Sequence, residues 1–367
     1  MTASSPAVPL SDTGGIVKTL QLRIKDKHAA VLAAMAREVN TIFNFCNETS
    51  TRAIRERRQW LSGYDLQKLV AGYSKCDGVQ IGSSTADLVC VEYAAKRRQH
   101  KKQRLAWRVS NPKSSKRSLG WVPFKAAAIR YKAGQIQYAG HLFSLWDSYG
   151  LADYELRAGS FSQDSRGRWY FNVAVQEKSP AQRSSGRAAI GIDLGLKTAV
   201  TTSDGQCFEG RLYRASEAKL AMAQRAGKKR LARTVHAKIR NQRKDGLHKF
   251  STKLVKENGA IFVGNVSAAK MIKTKMAKST HDAGWSMFKT MLEYKCHQAG
   301  VVFDVVNESW STQTCNVCGV IAGPKGRAGL NKRVWQCSCG TIHDRDVNAA
   351  LVIRRVGLDA LAEGAGA

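Results

Sequence analysis

The chain has 367 residues, 43% of them hydrophobic, enough to bury two or three small cores rather than one. Its 59 lysines and arginines against 28 acidic residues give a net charge of +31, which would repel itself in a compact fold without a polyanion nearby. The charge points to nucleic acid held through its phosphates, and the lack of an amphipathic anchor or a run of about 20 apolar residues argues against a membrane.

Residues 1–15 are small and polar and carry no signal-peptide pattern, so they read as a disordered tail. The cysteine count is nine, an odd number, which favours a reducing, cytoplasmic setting where clustered cysteines bind metal. Cys46, Cys76, Cys90, Cys207 and Cys296 are scattered and are expected to pack in apolar surroundings.

Residues 16–24 alternate apolar and charged, the period of a half-buried strand. A helix follows, with Val31, Leu32, Met35, Val39, Ile42, Phe43 and Cys46 on one face. Further helices are predicted over Gly63–Tyr73 and Ser84–Trp107, the latter ending in the basic run KRRQHKKQRLAWR that includes Arg97 and Arg98. From 119 to 177 short alternating segments broken by turn signals predict the hairpins of a small β-barrel, and a loop closes this half near residue 187. Thus one β-domain is interrupted by a helical insert.

The second half alternates strands and helices, the pattern of an α/β layer. A strand carries Asp193 in GIDLG, and a second strand returns over Thr198–Thr202. A long basic segment, Arg214–Asn258, has apolar residues at helical spacing. AIFVGNVS reads as a buried strand, Met287–Ala299 as a helix, VVFDVVNES as another strand, and the segment from HDRDVNAA onward as a final helix.

Cys315, Cys318, Cys337 and Cys339, in CNVCG and CSCG, form two knuckles whose four thiolates suit one structural zinc, with His343 near enough to substitute. Asp193, on a core strand beside a glycine turn, gains meaning from Asp344 and Asp346 in HDRDVNAA. Phosphodiester cleavage by two metals needs several carboxylates from separate elements, and oxygen ligands suit magnesium or manganese.

GIDLGLKTAVTTSDG, RKDGLHKFSTKLV, GWSMFKTMLEYKC, STQTCNVCG and HDRDVNAA together resemble TnpB, the transposon-encoded family ancestral to type V CRISPR effectors and related to the Fanzor proteins. The likeness spans residues 187–356, with a looser likeness in the N-terminal half. It implies a multidomain α+β chain. Residues 16–24 and 109–180 would form an oligonucleotide-binding β-barrel wedge, and 25–108 a helical recognition domain. Residues 187–310 and 341–358 would form a RuvC nuclease of the RNase H-like α/β type, 311–340 an inserted zinc ribbon, and 359–367 a flexible tail. It further implies a monomeric, nucleoid-associated RNA-guided DNA endonuclease, loaded with a transposon-derived guide RNA and cutting beside a short adjacent DNA motif.

Asp193 matches the family's first catalytic aspartate and Asp346 the last; Asp344 is expected to orient backbone or bind a cation beside them. Where the family usually carries its middle glutamate this chain has Gly264. Either the site is dead and the protein is a guided DNA-binding repressor, or another carboxylate has taken over, as in a subset of the family. Glu308, at the end of the next apolar strand, is the expected replacement, so that Asp193, Glu308 and Asp346 would hold two magnesium ions. Lys228, Lys229, Arg230, Arg233, Lys238, Arg240, Arg243 and Lys244, with Arg97 and Arg98, are expected to face a guide–target duplex. Trp60, Tyr64, Tyr73 and Trp107 lie among basic stretches and could stack on bases, although core packing is the expectation for each. A transposase that joins strands itself would need a clustered covalent nucleophile, and none is evident.

Overall fold

The computed structural model describes residues 17–177, 184–267, 271, 273, 276–329 and 331–365. The expected disordered tail and most of the loop near residue 187 fall outside them. The chain divides into two compact units, residues 1–180 and 181–367.

In the first unit, β1 (Val17–Ile24) buries Leu20, Leu22 and Ile24 in alternation, as its two-residue period requires. It pairs antiparallel with β5 (His141–Trp146) on one side and β7 (Trp169–Glu177) on the other. With β2 (Trp121–Phe124), β3 (Ile129–Lys132), β4 (Gln135–Tyr138) and β6 (Tyr154–Gln163), the sheet order is β2-β6-β7-β1-β5-β4-β3. Phe124 on the β2 edge lies 6.2 Å from Tyr138 on β4, near the other edge, and Phe143, Phe161 and Phe171 fill the space between. Edges so far apart in strand order meet only if the sheet rolls up, so it is barrel-like. Each buried phenylalanine contributes roughly 1.5–3 kcal/mol.

The helices share this core. In α1 (Ala29–Arg57), Leu32, Met35, Val39, Ile42, Phe43 and Cys46 are buried as their spacing predicts, and Val31 is half-buried. After α2 (Gly63–Val70), α3 (Ser83–Gln99) is fastened through Thr85, whose hydroxyl donates to Pro123 O at 2.8 Å. The expected helix to Trp107 ends at Gln99 instead. The reason lies on α1: Asn47 and Asn44 hold the backbone of Leu105 and Arg108 in paired hydrogen bonds of 2.9–3.0 Å. Two polar side chains that might have gone unsatisfied thereby order nonhelical chain.

The second unit is a five-stranded sheet, β10-β9-β8-β11-β12. β8 (Ala188–Asp193), β11 (Asn258–Gly264) and β12 (Val302–Val306) run parallel, while β9 (Val200–Thr202) and β10 (Cys207–Phe208) add antiparallel. Alternation divides the strands' residues between two faces. Ile190, Ile192, Ile261 and Val263 pack with Leu254 of α5 (Lys229–Glu257) and Phe288 of α7 (Trp285–Ala299). On the other face, Phe262 and Val306 pack with Ile353 of α8 (Arg345–Ala365). A Cβ on Gly191 would lie 2.0 Å from Ala350 O, so only glycine lets α8 lie this close to β8. Helix α8 continues to Ala365, where a flexible tail from 359 is expected. The basic segment folds as α4 (Leu212–Arg225) against α5, and α6 (Ala277–Ala283) precedes α7.

Candidate carboxylate cleft and cysteine cluster

Parallel strands leave their carboxyl ends at one edge of a sheet, where a crevice opens. Asp193 ends β8, on the same face as Ala189 and Gly191, and so faces the amino end of α8 where Asp346 sits in the first turn. Glu308 follows β12 by two residues, keeping the side of the sheet that Val306 takes. All three carboxylates line one cleft of about 260 Å³, with Lys197, Arg333 and Arg345. Burial pushes the Asp193 carboxyl up to about 7, helped by the negative charges of Asp346 and then Glu308.

Gly264 pairs in register with Val306. A Cβ there would stand 2.2 Å from Glu308 Oε2, so the Glu308 carboxylate lies where a side chain at position 264 would begin. Burial raises the Glu308 carboxyl above its ordinary range, while the Lys289 charge and a hydrogen bond from the Val266 backbone oppose it. Among the described residues, Glu308 Oε2 is buried without a hydrogen-bond partner. A buried acceptor left unpaired is costly, and a hard cation would satisfy it.

Asp346 is paired with Arg333 and Arg345, the latter Nη2 at 3.1 Å. Asp344 does not line the cleft. It caps α8 instead, its Oδ1 accepting from the backbone of Asp346 and Val347, each at 3.0 Å. Arg333, Arg345 and Lys197 are not distinguishable in the sequence, because a basic residue in so basic a chain carries no positional signal. Nor does the sequence mark Asn348, which ties α8 to the first cysteine knuckle, accepting from Asn316 N at 3.0 Å and donating to Thr314 O at 2.7 Å.

Cys315, Cys318, Cys337 and Cys339 bring their sulfurs within 4.8 Å of one another, among the described residues the one cluster this tight. The cleft carboxylates do not converge as closely, and Asp346 is engaged by its arginines. Tetrahedral sulfur ligation by one zinc ion fits the four cysteines. The Thr341 hydroxyl and backbone lower the Cys339 thiol to about 6, favouring the thiolate a metal requires. His343 is buried with Nε2 3.1 Å from Cys315 Sγ, beside the sulfurs rather than in place of one. Strands β13 (Val334–Gln336) and β14 (Ile342–Asp344) pair around this cluster.

Two of the expected nucleic-acid-facing cations are engaged within the fold. Arg97 is buried, its Nη2 donating to Leu61 O at 2.5 Å and its guanidinium lying over Trp60 and Tyr93. Arg243 is engaged by buried Asp282 at 2.7 Å, which also accepts from Tyr213 N. Lys228, Lys229, Arg230, Arg233, Lys238, Arg240 and Lys244 are exposed on or beside α5, and Arg98 is exposed on α3. Trp60, Tyr64 and Trp107 are exposed rather than in the core, and only Tyr73 packs against it. Cys46, Cys90 and Cys296 are buried as expected, whereas Cys76 and Cys207 are exposed. No helix among the described residues is long and apolar enough to cross a membrane.

Comparison with known proteins finds two family models, "Probable transposase" over residues 170–275 and "Cas12f1-like, TNB domain" over 285–353. A putative RNA-guided DNA endonuclease of Streptomyces pristinaespiralis is 35% identical over 274 residues, covering 69% of this chain and 67% of that protein. The putative RNA-guided DNA endonuclease InsQ of Escherichia coli (strain K12) is 26% identical over 229 residues, covering 54% of this chain and 56% of its own length. Among solved structures, a Cas12f1–sgRNA–target DNA complex aligns at 15% identity and a TM-score of 0.38, covering 92% of this chain and 99% of that one.

Proposed function

This chain belongs to the TnpB family, and from that premise we infer that it is a transposon-encoded, RNA-guided DNA endonuclease whose cleft hydrolyses phosphodiesters. The observation that carries the reading is the placement of Glu308: just beyond the neighbouring strand, its carboxylate occupies the space a side chain at position 264 would take, in the same cleft as Asp193 and Asp346. The competing reading, a nuclease-dead repressor, rests on Gly264 alone. It is weakened because the glycine makes room for a carboxylate instead of leaving a gap.

Asp193, Glu308 and Asp346 would hold two magnesium ions, with the unpaired Glu308 oxygen and the raised Asp193 carboxyl as the groups that most need a cation. Bound there, magnesium would supply an activated water and stabilise the leaving oxygen. Arg333 and Arg345, which neutralise Asp346, also provide positive charge for a phosphate entering the cleft. The second unit would be the RuvC nuclease with its zinc ribbon. The barrel and α1–α3 would be the wedge and recognition parts. The exposed cations of α5 would track the backbone of a guide–target duplex next to a short adjacent motif. The protein would act as a monomer on nucleoid DNA in the cytoplasm.

The test is to express the protein with its native transposon end, recover bound RNA, and incubate the complex with matched DNA and magnesium. Cleavage is expected from the wild type, and loss of cleavage with intact binding from both Glu308→Gln and Asp193→Ala. Guided binding without cleavage by the wild type would make the protein a repressor.

A further inference from the structure

Position 264 is fixed from two directions. On one side the Glu308 carboxylate occupies the space a side chain would take, with Oε2 2.2 Å from the site of a Cβ. On the other, Lys289 Nζ on α7 donates to Gly264 O at 2.7 Å and reaches Val266 O at 3.5 Å. The Val266 backbone in turn favours the charged Glu308 carboxyl, and Asn265 Oδ1 accepts from Glu308 N at 3.4 Å. Residues 264–266 therefore form the cradle of Glu308, and Lys289 is the side chain that ties the carbonyls of that cradle down.

Such a tie has a physical reason. β11 ends at Gly264, where sheet pairing ends on a residue with the loosest backbone. Lys289 is half-buried, and burying an ammonium is costly. An uncharged chain of similar length would fill the same space without that cost, so packing alone does not call for a lysine. Its charge also attracts the Glu308 carboxylate.

We propose that Lys289 is a positioning residue which, with Gly264, seats the Glu308 carboxylate in the cleft. This rests on Glu308 being a cation ligand. Gly264 is then a requirement of the relocated carboxylate and not a relic of a lost one. Ligand-supporting groups of this kind typically change metal affinity about 10- to 100-fold when removed.

The experiment uses the full chain with its co-purified RNA and follows manganese binding by the paramagnetic resonance of free Mn²⁺, thermal melting, and cleavage against magnesium concentration. Lys289→Met and Gly264→Ala should each weaken manganese binding at least about tenfold and raise the magnesium needed for half-maximal cleavage to match. Lys289→Arg, which keeps a donor and a charge, should stay close to wild type. Retained RNA and an unchanged melting temperature separate this from misfolding. If Lys289→Met lowers the melting temperature, the retained binding of Lys289→Arg and the lost binding of Gly264→Ala decide. Wild-type manganese binding in Lys289→Met and Gly264→Ala, beside lost binding in Glu308→Gln, would overturn the positioning role alone. Wild-type binding and cleavage by Glu308→Gln would instead overturn the reading of Glu308 as a ligand.

Discussion

Four cysteines, the outermost 24 positions apart, gather their sulfurs inside 4.8 Å, whereas the cleft draws its carboxylates from β8, the segment after β12 and the first turn of α8. The first site is made by two local knuckles and needs little from the rest of the fold. The second exists only because a sheet and a helix press together at Gly191 and because Gly264 leaves a space. The donors differ to match. Soft thiolates lie close together and suit zinc. Hard carboxylates stand apart, one of them held by arginines, and suit cations that arrive with substrate. Within one compact unit, a site can thus be local and self-sufficient or distributed and dependent on packing.

The largest effect should come from breaking the local site. Cys337→Ser is expected to remove the bound zinc, measurable as metal per chain, and to cost several kcal/mol of stability in melting experiments. Because Arg333 lies between the knuckles and pairs with Asp346, cleavage should fall with it. Removing magnesium, by contrast, should leave the fold and the zinc in place. Gly191→Ala attacks only the distributed site. The clash with Ala350 O should cost roughly 1–3 kcal/mol and weaken manganese binding by displacing Asp346, with one zinc per chain retained. Loss of zinc in that variant would show that the two sites are not independent.

The smallest effect is electrostatic. The folded Asp193 carboxyl titrates at about 7, above the roughly 3.9 of an unfolded aspartate, so between these values the native state holds a proton the unfolded chain has lost. Stability of the metal-free protein should therefore fall as pH rises from about 4 to about 7. Asp193→Asn should flatten that slope and stabilise the metal-free chain at pH 8. A slope unchanged by Asp193→Asn would mean that neither burial nor the neighbouring carboxylates hold the proton on Asp193.

Much of this was legible in the chain itself. The alternation of residues 17–24, the apolar stripe of α1 and the cysteine knuckles are local patterns with local causes. The acidic candidates were legible one by one, since Asp193 ends an apolar strand and Asp346 opens a helix. The end of α3 at Gln99 was not, because asparagines some 60 residues earlier capture the following backbone. Nor was the burial of Arg97 or the pairing of half-buried Arg243 with Asp282, since a charge count treats each like any other cation.

What the sequence determined by itself is the charge that calls for a polyanion, the strand and helix periods, and the cysteine cluster that could hold a zinc ion, because each is written in the residues themselves or in their near neighbours in the chain. Tertiary structure decided which carboxylates share a cleft, which arginines face it, and how Gly264 and Lys289 frame Glu308. Those facts depend on the register of parallel strands and on how closely α8 and α7 approach the sheet, distances that no local pattern of residues records.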